Sequence, residues 1–530
     1  MQYHAFGQNN VTARRKAFRV KKRIAKIIRK RKQNIARRID RNTYPTHTGP
    51  VLNTPNIQYD LSPRDRGIAY GGIGVIQAMV KQLQLDQIIN QNVRVFKIHN
   101  PYYESDHVLN IAYNILCQGD CLEDIERLRN DEAYLDALGA VRIPDPTTAG
   151  DFCRRFDTAQ IKHLQDAINQ ARIKVWKQQD PMFLKQAIID GDGTLASTTG
   201  ECKQGMDISY KGTWGYHPLV ISLANTQEPL FVVNRSGNQT SSSGAAAYFS
   251  QAAELCRQAG FESVRFRGDT DFSQTDYLDG WDRRNYVFNF GIAAMPNLVE
   301  LAETLPEKAW KPLERKSKYT VKTQTRVKPV NVKAQIIKAR KFKNLQLQGE
   351  AVAEFDYQPT HCKKPYRMVV LRKNISVEKG DDVLFDEIRY FFYITNDRQM
   401  SKAEIVFDAN HRCNQENLLD QLKHGVHSMR MPVDTLASNW AYMVMASLAW
   451  SLKSWMGLLL PIQGRWSSRR LQEKADVMRM EFKPFCHYFI HLPCKIIQTG
   501  RRIVYRILGW NRYLPVLLRA FESFRRPLRC

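Results

Sequence analysis

The sequence predicts an α/β fold with a β-rich insertion, flanked by N-terminal and C-terminal helical regions. Three observations lead to this prediction. Residues 61–180 and 431–530 carry apolar residues mostly at helical spacing. Residues 181–295 alternate short apolar strands with helices. Residues 296–405 then combine many basic residues with further strand patterns, before a helical segment at 406–430.

The elements of residues 181–295 follow the order three strands, helix, strand, helix, strand. Gln227-Glu228-Pro229 separates the second and third strands and predicts a hairpin. This is the ribonuclease-H-like order, in which carboxylates on the first strand, after the fourth strand and on a late helix meet. We therefore predict a ribonuclease-H-like catalytic core. Its predicted strands cover 185–190, 217–224, 230–235, 263–267 and 286–292, and its predicted helices cover 244–258 and 273–282.

The insertion at 296–405 is unusually basic. Residues 308–343 hold 13 Lys or Arg and one acidic residue, Glu314. Beyond them, residues 352–357, 367–371 and 389–394 alternate or run apolar as strands do. We predict a basic, β-rich insertion between the second and third acidic segments of the core.

Charge limits the partners of this chain. Its 530 residues include 79 Lys or Arg and 52 Asp or Glu, a formal net charge of +27. Such an excess raises the affinity for polyanions without selecting a sequence. We therefore expect a polyanionic partner, with a basic protein that has no such partner as the alternative.

Cysteine usage and hydropathy predict a cytoplasmic protein. The ten cysteines show no spacing of a disulfide framework, which fits a reducing compartment. The most apolar run, residues 443–461, contains Lys453 and several serines and is interpreted as a buried helix rather than a membrane span. The first residues lack the apolar core of a signal peptide.

The N-terminal arm, residues 1–60, begins with a basic amphipathic helix. Residues 14–41 hold 15 Lys or Arg and one acid, Asp40, with isoleucines at helical spacing. Such a helix can lie on DNA phosphates or on an anionic membrane, and it also resembles a transit peptide. We favour DNA because basic patches recur downstream, and a solvated, unbound arm stays open. The residues predicted to contact DNA here are Lys30, Arg31, Arg37 and Arg38.

Residues 43–60 are rich in Pro, Thr and Asn and predict a linker. The helices of residues 61–180 that follow form either a DNA-binding domain or a packing domain. No recognition helix can be identified among them.

Three acidic segments carry the predicted chemistry. Asp190 and Asp192 lie at the end of the first predicted strand, Asp269 follows the fourth, and Glu416 lies on the late helix. Carboxylates of this kind hold two divalent ions for phosphodiester cleavage, and Mg²⁺ prefers such oxygen ligands. Asp192 is the preferred first ligand because it leaves the strand into Gly193, and Asp190 is the alternate.

The late helix is predicted to run from residue 410 to residue 424. At 100° per residue, Glu416 lies about 40° and Lys423 about 20° from Arg412 on its circumference. All three would share one face, with Glu416 on a metal ion and the two cations on phosphate oxygens. The alternative is a solvated face with an Arg–Glu pair at i,i+4.

A second candidate metal cluster lies near the C-terminus. Cys486, His487, His491 and Cys494 are of the residue types that bind zinc, within nine residues. Their neighbours are apolar, so the alternative is that they are packed side chains.

The spacing of Arg412, Glu416 and Lys423 resembles the signature Tyr-x2-Arg-x3-Glu-x6-Lys of DDE transposases from bacterial insertion sequences. Further segments are similar to blocks of the group 1 DDE domain of that family. They are residues 101–110, 144–152, 210–212 and 216–219.

The resemblance implies a cytoplasmic, nucleoid-associated bacterial enzyme that binds the terminal inverted repeats of its element. It implies Mg²⁺-dependent cleavage of double-stranded DNA, with Mn²⁺ as a substitute, and joining of the ends to target DNA by a synaptic homodimer away from any membrane. The residues that match the family's acidic positions are Asp192, Asp269 and Glu416.

One position departs from the signature, because its Tyr falls at Ala409. His411 or another side chain would have to take its place, so a hairpin intermediate is a weaker inference than metal-dependent cleavage. Two alternatives to a transposase stay open. One is a nuclease of the same fold without strand transfer, and the other is a catalytically inactive DNA-binding regulator.

Overall fold

The computed structural model describes residues 5–40, 59, 65–99, 101–315, 330–379, 382–499 and 502–528. The predicted linker at 43–60 lies outside these residues except for Tyr59.

The N-terminal part is helical, as predicted. Asp145 caps its seventh helix by accepting a hydrogen bond from the Thr148 amide, with Pro146 in the first turn. The elements in chain order are α1 (Ala5–Ile39), β1 (Arg66–Ile68), α2 (Ile73–Leu83), α3 (Leu85–Asn92), α4 (Glu104–Leu116), α5 (Ile125–Arg129), α6 (Glu132–Leu138), α7 (Pro146–Arg154) and α8 (Thr158–Trp176).

The central part alternates strands and helices. Its elements are β2 (Gln186–Gly193), β3 (Ala196–Ser197), β4 (Asp207–Ile208), β5 (Trp214–Tyr216), β6 (Leu219–Leu223), β7 (Glu228–Val233), α9 (Ala245–Ala259), β8 (Ser263–Gly268), α10 (Thr275–Arg283), β9 (Tyr286–Ile292) and α11 (Pro296–Glu303). Every residue of β6 and β7 is buried, as expected for continuous apolar strands covered on both faces.

The order of these strands confirms the predicted ribonuclease-H-like core. The sheet runs β7-β6-β2-β8-β9. The first three strands pair antiparallel, while β2 with β8 and β8 with β9 pair parallel through the crossover helices α9 and α10. In order of appearance this is strand three, two, one, four, five.

The insertion extends the same sheet. It contains β10 (Lys311–Pro312), α12 (Val332–Ala339), β11 (Lys343–Tyr357), β12 (Tyr366–Lys379) and β13 (Asp382–Thr395). β13 pairs antiparallel with β9 from Phe392 opposite Ile292 to Thr395 opposite Asn289. The β-rich character is therefore as predicted, but the strands are 14 or 15 residues long, between two and three times the length that their sequence patterns indicated, and they continue the core sheet.

The C-terminal part packs on the N-terminal part and on the central part. It contains α13 (Lys402–Asn410), α14 (Cys413–Asp420), α15 (Leu436–Leu458), α16 (Ser467–Arg479), α17 (Phe482–Phe485), β14 (Cys494–Thr499), β15 (Arg502–Ile507) and α18 (Leu514–Phe524). α15 contacts α4, α8 and β7. Across the described residues, no helix is long and apolar enough to cross a membrane.

A buried ion pair joins these three parts. Glu228 on β7 accepts hydrogen bonds from Arg172 on α8 and from the indole nitrogens of Trp176 and Trp455. Both charged side chains are at most 1% exposed. Apolar residues from Ile68 to Phe524 belong to one continuous core. The domain boundaries drawn from the sequence stay predictions.

The single helix predicted from residue 410 to residue 424 is wrong. α13 ends at Asn410, α14 begins at Cys413, and a π-helical turn occupies Gln421–Gly425. Because a π turn winds more slowly than an α-helix, the angle calculated for Lys423 at 100° per residue does not apply.

Candidate active site

The acidic residues of the core gather where β2 and β8 end. These two strands are parallel, so their carboxyl ends lie at the same edge of the sheet. Asp192 is the penultimate residue of β2, and Asp269 directly follows β8. The strand predicted to end at Asp190 therefore continues three residues further.

Arg412 brings the two carboxylates together. Its Nη1 atom lies 3.4 Å from Oδ2 of Asp192 and 3.4 Å from Oδ2 of Asp269. The two carboxylate oxygens are therefore at most twice that distance apart. Arg412 occupies the N-cap position of α14, so the break between α13 and α14 places it at the sheet edge.

Glu416 and Lys423 lie near this pair. Glu416, in the first turn of α14, is exposed. Its charge raises the pKa of Asp192, while Asp192 in turn favours the charged form of Lys423. Both residues are thus within electrostatic range of Asp192, while the shared helix face expected for Arg412, Glu416 and Lys423 stays a prediction.

Burial and crowding of like charges hold the pKa of Asp192 high. Burial is the largest cause of its rise to about 6, and the charges of Asp269 and Glu416 add to it. Arg412 and the Gly193 amide act in the opposite direction. Burial also raises the pKa of Asp269 and lowers that of Lys423. A raised carboxylate pKa is typical of a site in which a cation must offset the repulsion.

Asp190 has a different environment. Arg267 donates a hydrogen bond from Nε to one carboxylate oxygen of Asp190 at 2.7 Å and another from Nη2 to the second oxygen at 2.8 Å. The two side chains are 1% and 4% exposed and face each other across β2 and β8. Asp190 is therefore committed to a buried ion pair, which favours Asp192 of the two candidate first ligands.

Sequence reasoning missed Asp408. This buried residue on α13 accepts hydrogen bonds from Arg267 Nη1 at 3.1 Å and from Asn289 Nδ2 at 3.0 Å. Arg265 Nη1 lies 3.5 Å from Oδ2 of Asp408. Asp408 ties α13, and so the Arg412 turn, to β8 and β9. Two arginines in the otherwise apolar strand 263–268 were the available signal, because buried cations need acidic partners.

His217 packs against the end of β2. Its Nδ1 donates to the carbonyl of Gln239 at 2.6 Å, which leaves Nε2 as the acceptor in the neutral ring. A Cβ at Gly193 would lie 2.8 Å from that Nε2. Glycine is therefore required beside Asp192 for close approach, which the sequence alone did not show. His411 is exposed at the end of α13.

The donor set matches a hard cation in part. Within the described residues, no three Asp, Glu, His or Cys side chains are close enough to form a metal site as they stand. Two of the three predicted ligands, Asp192 and Asp269, nevertheless meet on one cationic group. Carboxylate oxygens facing one positive charge are ligands suited to Mg²⁺.

Within the part of the chain that the structure describes, Cys486, His487, His491 and Cys494 do not come together as a metal-binding group. Cys486 and Cys494 are buried in the apolar core, and the ring of His491 packs edge-on against Tyr70. These contacts favour the interpretation as packed side chains.

Most side chains of α1 from Lys22 to Ile39 are exposed. Lys30, Arg37 and Arg38 lie on the exposed surface of α1. Arg31 instead donates to the carbonyls of Ile507 and Gly509 at 2.9 and 2.8 Å, which attaches α1 to the end of β15.

The sheet order and the carboxylates at the ends of its first and fourth strands place the chain among ribonuclease-H-like proteins. Its sequence matches the family described as "Transposase DDE domain group 1" over residues 68–525. The chain belongs to this family and is a DDE transposase.

A search of curated proteins finds no match to the chain. Among solved structures, the chain is similar to a piggyBac transposase in a synaptic complex with hairpin DNA. The identity is 10% and the TM-score 0.34, over 79% of this chain and 82% of that chain.

Proposed function

We propose that this transposase binds the terminal inverted repeats of an insertion sequence, cleaves them and joins them to target DNA. The observation that carries the proposal is the convergence of Asp192 and Asp269 on Arg412. Burial raises the pKa of both carboxylates, and such perturbed groups at the edge of a sheet, beside a cation, are candidates for a functional site.

In this proposal Asp192, Asp269 and Glu416 hold divalent cations, with Mg²⁺ preferred and Mn²⁺ as a substitute. The family generally uses divalent metal ions. When bound, they would supply a Lewis acid at the scissile phosphate and an activated oxygen nucleophile. Asp190 supports the site indirectly, since its pair with Arg267 fixes β2 against β8.

Arg412 and Lys423 contact the DNA backbone in this proposal. Arg412 is only loosely held, since 3.4 Å is longer than a normal charge-assisted hydrogen bond. Its guanidinium can therefore turn from the carboxylates towards a phosphate. Lys423 is half-buried, and its charge lies within electrostatic range of Asp192.

The bulk of the positive surface would hold the DNA on either side of the cut. Lys30, Arg37 and Arg38 on α1 and the basic residues of the insertion serve this purpose by neutralising phosphates. A homodimer would bring two ends together.

The first test compares Asp269→Asn with the wild-type protein on DNA that carries the inverted repeats flanking this coding sequence. We expect unchanged end binding and a loss of cleavage by orders of magnitude. Asp276→Asn, an exposed acid on α10, is the matched control and should cut normally. Equal cleavage by Asp269→Asn and the wild type would refute the site.

Two further assays separate the alternatives. Joining of pre-cut ends to a target plasmid distinguishes a transposase from a nuclease of the same fold. Binding without any Mg²⁺-dependent nicking by the wild type would instead indicate an inactive regulator.

A further inference from the structure

A small three-stranded flap projects from the sheet edge that carries Asp192. It comprises residues 196–216, with β3 and β4 both paired to β5. The chain enters it four residues after Asp192 and leaves it into His217, which packs on Gly193. Both stems of the flap therefore adjoin the candidate active site.

The base of the flap is firmly anchored. Tyr216 is buried and donates its hydroxyl hydrogen to the Gln204 carbonyl at 2.8 Å. Lys203 Nζ donates to the carbonyls of Met431 and Val433 at 2.5 and 2.7 Å. These contacts join the flap to the segment just before α15.

A second set of contacts holds its strands in place. Asn238 donates to Asp207 at 2.6 Å. A Cβ at Gly237 would lie 2.6 Å from the carbonyl oxygen of Gly215 and would also meet the Asp207 carbonyl. The loop around Gly237 therefore lies directly against the flap, and the flap keeps a defined orientation.

The tip, by contrast, exposes large side chains. Tyr210 is 79% exposed, Trp214 is 54% exposed, and Ile208, opposite Trp214 in the ladder, is 46% exposed. The turn between them is fixed by Gly212, whose φ of 73° favours glycine. Exposed aromatic side chains on a rigid turn beside an active site are typical of a binding surface.

Positive charge accompanies these rings. Lys211 lies with its Nζ 5.4 Å from the ring centre of Tyr210. Its charge also lowers the pKa of Lys423, after the larger effect of burial, which places the tip within electrostatic range of the site. Lys211 therefore gives the tip one cation that could pair with a phosphate, although the flap as a whole carries equal numbers of acidic and basic residues.

We propose that the flap tip grips the end of the DNA, with Trp214 and Tyr210 stacked on an unpaired base and Lys211 against a neighbouring phosphate. This rests on the proposed function. A nucleotide of the DNA end offers an aromatic base for the rings and a phosphate for the cation, whereas a second copy of this chain, with its net charge of +27, would bring like charge.

The test uses the full-length protein and a transposon-end duplex with 2-aminopurine as the last base at the cleavage point. Wild-type protein should change the probe's fluorescence on binding, and less so when the same base lies in the duplex interior. Trp214→Ala should abolish the change at the end position and weaken binding of a frayed end about 5- to 150-fold. Trp214→Phe should retain most of both effects.

Trp466→Ala is the matched control, since Trp466 is 60% exposed but lies beside α16 rather than on the flap. It should behave as the wild type. Normal fluorescence and frayed-end binding by Trp214→Ala would overturn the flap proposal even if the wild type cuts DNA. Failure of the wild type to bind or cut any such end would instead overturn the proposed function itself.

Discussion

The Nη1 atom of Arg412 lies 3.4 Å from a carboxylate oxygen of Asp192. The same nitrogen is equally far from Asp269, so one guanidinium offsets the charge of two candidate metal ligands. The guanidinium of Arg412 thus reduces the repulsion between the two carboxylates, which a bound cation would also reduce. If these carboxylates hold a divalent ion, as proposed, that ion would compete with Arg412 for them.

Replacing Arg412 with Ala should slow DNA cleavage about tenfold to a hundredfold. This is the effect expected from the loss of one charged contact of about 1.5–3 kcal/mol. Arg37→Ala removes one exposed charge of the arm and should change cleavage much less. Single-turnover cleavage of end DNA measures both. Similar losses in the two variants would mean that Arg412 acts only as another surface cation.

Substitutions of Asp190 and Asp192 should have different effects on stability and on cleavage, although the two residues are only two positions apart. Asp190→Ala leaves Arg267 partly uncompensated in the core, so the free energy of unfolding should fall by about 3–5 kcal/mol. Asp192→Asn should leave stability unchanged or raise it, because burial already disfavours the charged form, while cleavage is lost.

Urea unfolding followed by tryptophan fluorescence, together with the cleavage assay, measures both quantities. A fully stable Asp190→Ala protein would contradict the buried ion pair as the function of Asp190. A destabilised Asp192→Asn protein would show that Asp192 has a structural function instead.

Asp408 should act as a positioning residue. Asp408→Asn keeps the shape but removes the charge that faces Arg267 and Arg265. We expect a lower free energy of unfolding by about 1–3 kcal/mol and a fall in cleavage larger than the fall in end binding. Asp408→Glu should restore part of the stability.

The readout that distinguishes positioning from folding alone is the concentration of Mg²⁺ needed for half-maximal cleavage at a temperature where the variant is fully folded. It should rise if the helix turn that carries Arg412 and Glu416 has shifted. An unchanged requirement for Mg²⁺ would assign Asp408 a purely structural role.

The sequence predicted the core well because its strands are short, apolar and separated by clear helices. The strand 286–292 and the helix after Gly244 agree with the structure within one residue. The acidic residues at the strand ends followed from the same pattern. The fold class was therefore within reach of local periodicity alone.

Local periodicity could not predict the helix around Glu416 correctly. Nothing in the spacing of residues 410–424 shows the break before Cys413 or the π turn at Gln421, because both depend on packing against the core. The buried pairs of Asp190 and Asp408 were also hidden, since their partners lie 77 and 141 residues away along the chain. Long-range ion pairs leave no periodic signal.

Lys453 should make stability depend on pH in a predictable direction. This residue of α15 is 1% exposed, donates to the Met478 carbonyl at 2.7 Å and lies 4.2 Å from the ring centre of Trp450. Burial lowers the pKa of Lys453 to about 7, and the negative charge of Glu228 opposes this shift only in part. In the unfolded chain a lysine has a pKa of about 10.4.

Between these two pKa values the unfolded chain binds more protons, so this lysine makes the protein more stable as the pH rises. Lys453→Met removes the effect. The stability of this variant relative to the wild type should therefore be highest near pH 7 and fall at higher pH, by up to about 1.4 kcal/mol per pH unit.

Urea unfolding of both proteins at several pH values measures this difference. The neighbouring buried variant Ser454→Ala has no ionisable group and should differ from the wild type by the same amount throughout. A pH-independent difference for Lys453→Met would show that the ammonium stays charged in the folded protein, held by Trp450 and the Met478 carbonyl.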